Sequence, residues 1–377
     1  MRSLNRRFMA FVLGICLSVL TLVADTPKDG DGAGFKYNAF VRAFLLNDQR
    51  IQWSGLETTF SAEAVVNLSY LKKIARWQVM ANGEFFINQP FNPNILADEY
   101  RSRYKQNFDI DTFSCKQLFI EARNGAFAFK IGKFIIPFGR NYVPSYCNAF
   151  SDQPFIRSES IMRYDTGLML SVNSGLLHLD LAFVNGSEDQ DTNSAKSLIG
   201  RLGLGNEKWG IGVSGKYFGD RGSETQKQYS DHLGIDIMLT SGDFTLSGEL
   251  ITEHYGLRKP FGEDEIFWPR SFYYRDIFYQ FETPINGTGG YLNLLWKSRR
   301  VSINLNYGLY YPQQIDRPLH DAKNSRLLVS CSWQLVAGLH AFVSALIEND
   351  RPREPVFSGA SPYMFLCGLH YALRPAD

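Results

Sequence analysis

The residues whose spacing most resembles a chemical motif are Gly210, Gly212 and Gly215, in the run WGIGVSGKYFG. Glycines so spaced bind a dinucleotide when they join a strand to a helix within a βαβ unit, where backbone N–H groups and the helix N-terminus face the pyrophosphate. Here the run alternates as a strand and no helical pattern follows, so the glycines read as easing curvature or packing. The histidines (His178, His232, His254, His320, His340 and His370) are dispersed, without metal-ligand spacing. No zinc-protease, nucleophile-elbow or P-loop pattern occurs. The chain reads as no enzyme, with no cofactor and no metal. Cys115, Cys147, Cys331 and Cys367 are far apart and lack disulfide-framework spacing. Three of them sit in apolar strand patterns and read as small buried or lipid-facing hydrophobes.

The remaining chemistry is charge, and it is patterned. In 35–46, Phe35, Tyr37, Ala39, Val41, Ala43 and Leu45 share one face; Lys36, Asn38 and Arg42 share the other. In 55–69, Leu56, Phe60, Ala62, Ala64, Val66 and Leu68 oppose Glu57, Thr59, Ser61 and Glu63. In 73–87, Trp77, Val79, Ala81 and Phe85 oppose Arg76, Gln78, Asn82 and Glu84. Such faces suit lipid outside and water inside. Continued along the chain, this places Lys36, Arg42, Arg76, Arg123, Lys130, Arg201, Lys216, Lys297 and Arg326 inward. Inward acids would be Glu57, Glu63, Glu84, Glu121, Asp180, Asp236, Glu249, Glu253 and Glu348. The two sets balance. Pairing across neighbouring strands is the plain reading of such charges.

The elements that must carry these faces follow a leader. Residues 1–24 have Arg2, Arg6 and Arg7 before the apolar run Phe8 to Val23, with Ala24 at the cleavage point: a secretory signal peptide. Leu13-Gly14-Ile15 before Cys16 fits a lipoprotein box poorly. Residues 25–34 are a flexible lead-in rich in Gly and Asp. Removing the leader takes three arginines from 39 bases against 38 acids and leaves a net charge of −2, which excludes a polybasic nucleic-acid binder. Charged residues are 20% of the chain, too many for a helical bundle, and no later run of about 18 apolar residues occurs. Aromatics at 14%, 32 glycines and a mean hydropathy of −0.20 suit strands that hide apolarity in alternation.

About sixteen strands fit between residues 36 and 372. Their connections alternate between short and long. The short ones are Tyr70-Leu71-Lys72, Asn124-Gly125, Asn173-Ser174-Gly175, Asn206-Glu207, Ser241-Gly242-Asp243, Ser298-Arg299 and Val336-Ala337-Gly338. The long ones fall near 47–54, 88–113, 135–164, 185–196, 220–230, 256–287, 312–324 and 349–360. A soluble sandwich has no reason to sort loop lengths by parity; a bacterial outer-membrane β-barrel, all-β and antiparallel, does. Residues 271–282 are left to the sixth long loop, since a further strand there would break the parity. Phe85, Phe86, Phe134, Tyr217, Phe218, Tyr310, Tyr311, Tyr363 and Phe365 lie near strand ends and are assigned to interfacial girdles. Tyr371 is read as the terminal aromatic of the last strand.

Within 125–186, Gly132-Lys133-Phe134 followed by Pro137-Phe138-Gly139, then Pro154-Phe155-Ile156-Arg157, then Arg163-Tyr164-Asp165 with Gly167, resembles the phosphate-selective porin O and P family. Val184-Asn185-Gly186, Asp191, Asn193 and Gly200-Arg201-Leu202 extend the resemblance. It implies a homotrimer of sixteen-stranded porins in the bacterial outer membrane, with the third long loop, 135–164, folded into the channel. It further implies that arginine and lysine along the pore contact anions; the candidates are Lys130, Lys133, Arg140, Arg157 and Arg163. Pro137, Pro144 and Pro154 would stiffen that loop, and Gly139 would permit a bend. Against Asp152 and Glu159 the loop arginines leave one net positive charge, a mild preference rather than a phosphate trap. The expected function is passive diffusion of small hydrophilic solutes or anions, with membrane lipid as the other partner. The alternative is a non-conducting anchor or surface-binding barrel that acts through its long loops. Ten residues before the first strand leave no room for the plug of a gated receptor.

Overall fold

Alternating side chains need a surface with two solvents, and a sheet closed on itself provides one without leaving an unpaired edge. The computed structural model describes residues 33–48, 58–88, 113–140, 164–185, 196–218, 228–257, 285–314, 324–349 and 363–373. They form sixteen strands: β1 Gly34–Asp48, β2 Thr58–Ile74, β3 Trp77–Asn88, β4 Phe113–Asn124, β5 Phe127–Ile135, β6 Tyr164–Ser174, β7 Leu177–Val184 and β8 Ser197–Gly205, then β9 Trp209–Phe218, β10 Gln228–Ser241, β11 Phe244–Leu257, β12 Ile285–Lys297, β13 Val301–Gln314, β14 Asn324–Val336, β15 Leu339–Asn349 and β16 Tyr363–Leu373. Each strand pairs antiparallel with its neighbours in sequence, and β16 closes on β1 with Ala39 opposite Leu373 and Asp48 opposite Met364. The expected sixteen-stranded antiparallel barrel is thus the observed one.

The outer surface is apolar. Leu118, Ile120, Leu168, Leu202, Ile235, Leu250, Leu292, Leu305, Val329 and Leu369 are exposed at mid-strand. The inner surface carries the buried polar set, among it Asn82, Glu84, Glu121, Asp236, Glu249, Asn304, Asn306 and Ser344. No helix among the described residues is long and apolar enough to cross a membrane; the strands do so.

The inside is not polar throughout. Phe40, Phe44, Val65, Phe86, Leu328, Phe342, Leu346 and Leu366 share the inner parity of β1–β3 and β14–β16 and are buried there in two clusters. This corrects the girdle assignment of Phe86. Phe134 is also corrected: it is wholly buried inside the barrel. Tyr217, Tyr311, Tyr363 and Phe365 do face outward near the long-loop end. A second belt, of which the sequence reading singled out only Tyr371, lies beside the short turns: Trp77, Phe127, Trp209, Phe244, Trp333 and Tyr371 are all exposed there.

One short turn is displaced. Tyr70, Leu71 and Lys72 remain paired, with Ala81, Met80 and Val79, and the reversal comes at Ala75-Arg76. None of the three has turn chemistry, and Tyr70 packs on Phe35 across β1 with ring centroids 6.4 Å apart. Ala75 takes the positive φ of 52° that glycine supplies at Gly125, Gly175 and Gly242. Arg76 is therefore a turn residue exposed at the barrel's end, not a lumen residue as expected. Asn206 shapes another turn, its Oδ1 accepting from the amides of Lys208 at 2.8 Å and Trp209 at 3.1 Å.

The leader, the lead-in up to residue 32, the long loops apart from their ends, residues 271–282, Glu57, Cys147, Pro144, Pro154, Arg157, Arg163 and His320 lie outside the described residues. So do the side chains of Glu63, Phe218, Tyr310, Arg326 and Glu348.

Candidate functional site: the root of the third loop

After β5 the chain leaves the wall. The Phe138 amide donates to the Ile136 carbonyl at 2.9 Å, a three-residue turn about Pro137, whose ring fixes φ near the value such a turn needs. Phe138 is 1% exposed. Its ring stands edge-on to His232, centroids 6.2 Å apart, and fills the space over Gly234, where a Cβ would touch it. Gly139 follows with a φ of 69° and donates its amide to Ser214 Oγ at 2.8 Å. Arg140 donates its amide to Glu249 Oε1 at 3.1 Å and its Nε hydrogen to Asp236 Oδ1 at 3.0 Å. Ser214, Asp236 and Glu249 stand on β9, β10 and β11.

Contacts decide the route. Ile136 and Phe138 pack with Phe119, Phe134, Met169, Ala182, Val184, Ile199 and Ile251, inward-facing residues of β4–β8 and β11, and Phe138 covers Gly234 on β10 from the inside. Residues 136–140 therefore run through the lumen, with an apolar sector packed against them.

The anchor is a shared carboxylate. Asp236, 1% exposed, accepts from Arg201 Nε at 2.9 Å and Nη2 at 2.7 Å, and from Arg140 Nε at 3.0 Å. Two guanidiniums on one anion leave a surplus positive charge, and Glu249 beside Arg140 balances it. Charges this deep in the barrel are held by pairing rather than by bulk water.

Other charges expected at the pore are placed as follows. Lys130 points inward on β5; its Nζ is 3.4 Å from Glu121 Oε2 and 4.4 Å from the Phe119 ring centroid. Arg123, near the short-turn end, donates from Nη2 to Glu121 Oε1 at 2.9 Å. Glu84 accepts from Asn67 Nδ2 at 3.3 Å and Gln117 Nε2 at 3.2 Å. Arg42 lies in register with Glu63 on β2 and His370 on β16, its guanidinium 5.1 Å from the Phe44 ring centroid and 5.8 Å from that of Phe342. Lys133 is corrected: it shares the parity of Phe127, Phe129 and Ile131, all exposed, and pairs with Leu118 and Thr166, so it belongs to the outer face near the end of β5. A long amine there reaches the membrane interface, not the pore.

Sequence reading missed Lys116. The β3–β4 register shifts between Glu84 and Phe85, leaving Lys116 unmatched and turned inward, 5.3 Å from the Phe86 ring centroid and 5.7 Å from that of Tyr164. Ser214 and the Phe138 pocket were also missed. Inward-facing glycines at alternate positions of β9 were the one available signal, since a glycine inside a strand marks a close approach.

No family model matches the chain, and no curated protein does. Solved structures do resemble it. An anion-selective porin from Comamonas acidovorans shares 10% identity at a TM-score of 0.59, covering 90% of this chain and 100% of that one. A loop-deleted OmpT, an outer membrane protein of Vibrio cholerae, shares 9% at 0.57, covering 91% and 100%. A mutant Rh. blastica porin shares 9% at 0.56, covering 90% and 100%. The chain has the fold of bacterial outer-membrane porins, and a closed barrel with an apolar outer belt is the form in which such folds sit in the outer membrane.

Proposed function

We propose that this protein is an outer-membrane porin that lets small hydrophilic solutes diffuse down their gradient, with no covalent chemistry. The observation that carries the reading is the loop root crossing the lumen from Ile135 to Asp236 inside a closed barrel. A chain that only needed an anchor has no use for a buried strut across its interior. We further propose that the whole third loop, 135–164, continues inward and narrows the channel, as its resemblance to the phosphate-selective porin O and P family implies.

The electrostatics favour general diffusion over a phosphate trap. Arg123, Lys130, Arg140 and Arg201 each have a carboxylate oxygen within 3.4 Å. An anion would have to compete with it for each of these groups. Of the loop arginines this leaves Arg157 and Arg163 to contact anions, beside Arg42 and Lys116 on the inner wall, and the preference is mild.

A homotrimer fits the outer face. At mid-strand the outer parity of β1–β3 is rich in small residues, Ala39, Val41, Ala43, Ala62, Ala64, Ala81 and Gly83, beside Tyr37, Leu68 and Phe85. The large exposed hydrophobics there, Phe35, Tyr70, Ile74 and Trp77, all lie towards the short turns. Another structure with this fold is described as the trimer form of the Vibrio cholerae OmpT.

The inner apolar clusters on β14–β16 and β1–β3 favour a second reading, a non-conducting anchor working through its loops. Planar-bilayer recording separates the two. Steady single-channel current with a small reversal potential in a KCl gradient, insensitive to phosphate, is expected. A strong anion shift blocked by phosphate would establish the narrower family activity. No current from a folded barrel would leave the anchor standing. Cross-linking of the same preparation reports the trimer.

A further inference from the structure

The glycine motif of β9 has a use that strand curvature does not explain. A side chain at Gly210 would overlap the Arg140 guanidinium; one at Gly212 would overlap the Arg201 guanidinium and the Asp236 carboxylate. Gly215, third in the motif, has open space where its Cβ would lie. Only the two inward glycines are needed for space, and the space is occupied by arginine. Arg140 comes from the loop root, Arg201 from β8 and Asp236 from β10, so the three meet only when the root is seated.

We propose that Arg140, Asp236 and Arg201, on the floor made by Gly210 and Gly212, form a latch that seats the root of the third loop. Through it these positioning residues hold the bore of the channel steady, a role that rests on the porin reading above. The latch is internally neutral: two guanidiniums face Asp236 and Glu249, the latter held by the Arg140 amide. It therefore acts on the steadiness of the opening and not on the sign of the ion. Arg140 is a strut here, not an anion contact.

The test compares Gly210→Ala, Gly215→Ala, Arg140→Ala and the Gly210→Ala/Arg140→Ala double variant, each refolded, by single-channel recording and by urea unfolding. Gly215→Ala is expected to match the parent in both. Gly210→Ala is expected to replace one steady current level with flicker between levels and to lower the unfolding midpoint. In the Arg140→Ala background the same methyl group is expected to add nothing, because the group it collides with is gone. Additive effects, or a Gly210→Ala barrel as quiet and as stable as the parent, overturn the latch. If the parent carries no current, the porin reading fails and the unfolding cycle alone decides the latch. If Gly210→Ala does not fold, Asp236→Asn takes its place: it should destabilise the parent more than it does the Arg140→Ala variant, and an equal loss in both overturns the latch.

Discussion

Arg140 and Asp236 lie 96 residues apart in the sequence and 3.0 Å apart in the barrel. Asp236 is the point where the loop root, β8 and β10 meet. Asp236→Asn removes the shared anion and leaves two guanidiniums facing each other. Breaking a buried pair costs about 3–5 kcal/mol, and the partial exposure of Arg140 puts the loss at the lower end. Urea unfolding of the refolded barrel should show it. The reversal potential of the variant should also move toward anions, since Arg140 and Arg201 lose their counter-charge.

The outer face sets a second expectation. Ile235 is exposed at mid-strand between Gly234 and Asp236, which face inward. Ile235→Arg should destabilise the barrel in lipid by about 2–4 kcal/mol, the cost of a cation near the midplane. Lys133→Ala, near the end of β5, should change stability by about 1 kcal/mol or less. Matched folding titrations in vesicles would compare them; equal effects would mean that Lys133 is not on the lipid side.

Tryptophans report the belt beside the short turns. Trp77, Trp209 and Trp333 are all exposed on the outer face there. Lipids brominated high on the acyl chain should quench their fluorescence more than lipids brominated near the bilayer centre. The reverse order would place the strands deeper than their registers imply.

Cys331 and Cys367 both stand in register with Val343, one on each side of it. All three share the outer parity. A lipid-soluble maleimide should label both cysteines in the folded barrel, and a membrane-impermeant one should label neither. Oxidation should not join them, because two strand spacings, about 9.6 Å, exceed the Cα separation a disulfide spans.

Ala75 holds a left-handed turn without being glycine. Ala75→Gly should stabilise the β2–β3 hairpin by about 1 kcal/mol, read as a higher unfolding midpoint. A lower midpoint would show that the turn is not strained.

Much of the fold was legible because period-2 alternation and the parity of loop lengths are local patterns, repeated in every hairpin. What failed were single residues at which the local pattern breaks. The bulge at Lys116 inserts a residue and turns a lysine inward that strict alternation would turn out. Arg76 moved from strand to turn because β2 runs on through Tyr70-Leu71-Lys72. Phe86 and Phe134 look like interfacial aromatics by position, yet their parity sends them inside, where the barrel holds apolar clusters. Lys133 was drawn into the site by its neighbours in a motif, while its parity belongs to the opposite face. The latch was not legible, because nothing near Gly210 in the chain announces that a guanidinium from a distant loop will rest on it.

The pairing of β1 with β16 has a consequence for how the barrel is made. The first strand finds its last hydrogen-bonded neighbour only among residues 364–373, at the far end of the chain. A ribosome delivers the N-terminus first, so the partner that removes the open edge of β1 is the last to be made. Closing so long a loop is also slow, since the entropy is lost before any contact compensates for it. Until residues 364–373 pair with β1, any sheet the chain has formed keeps two open edges.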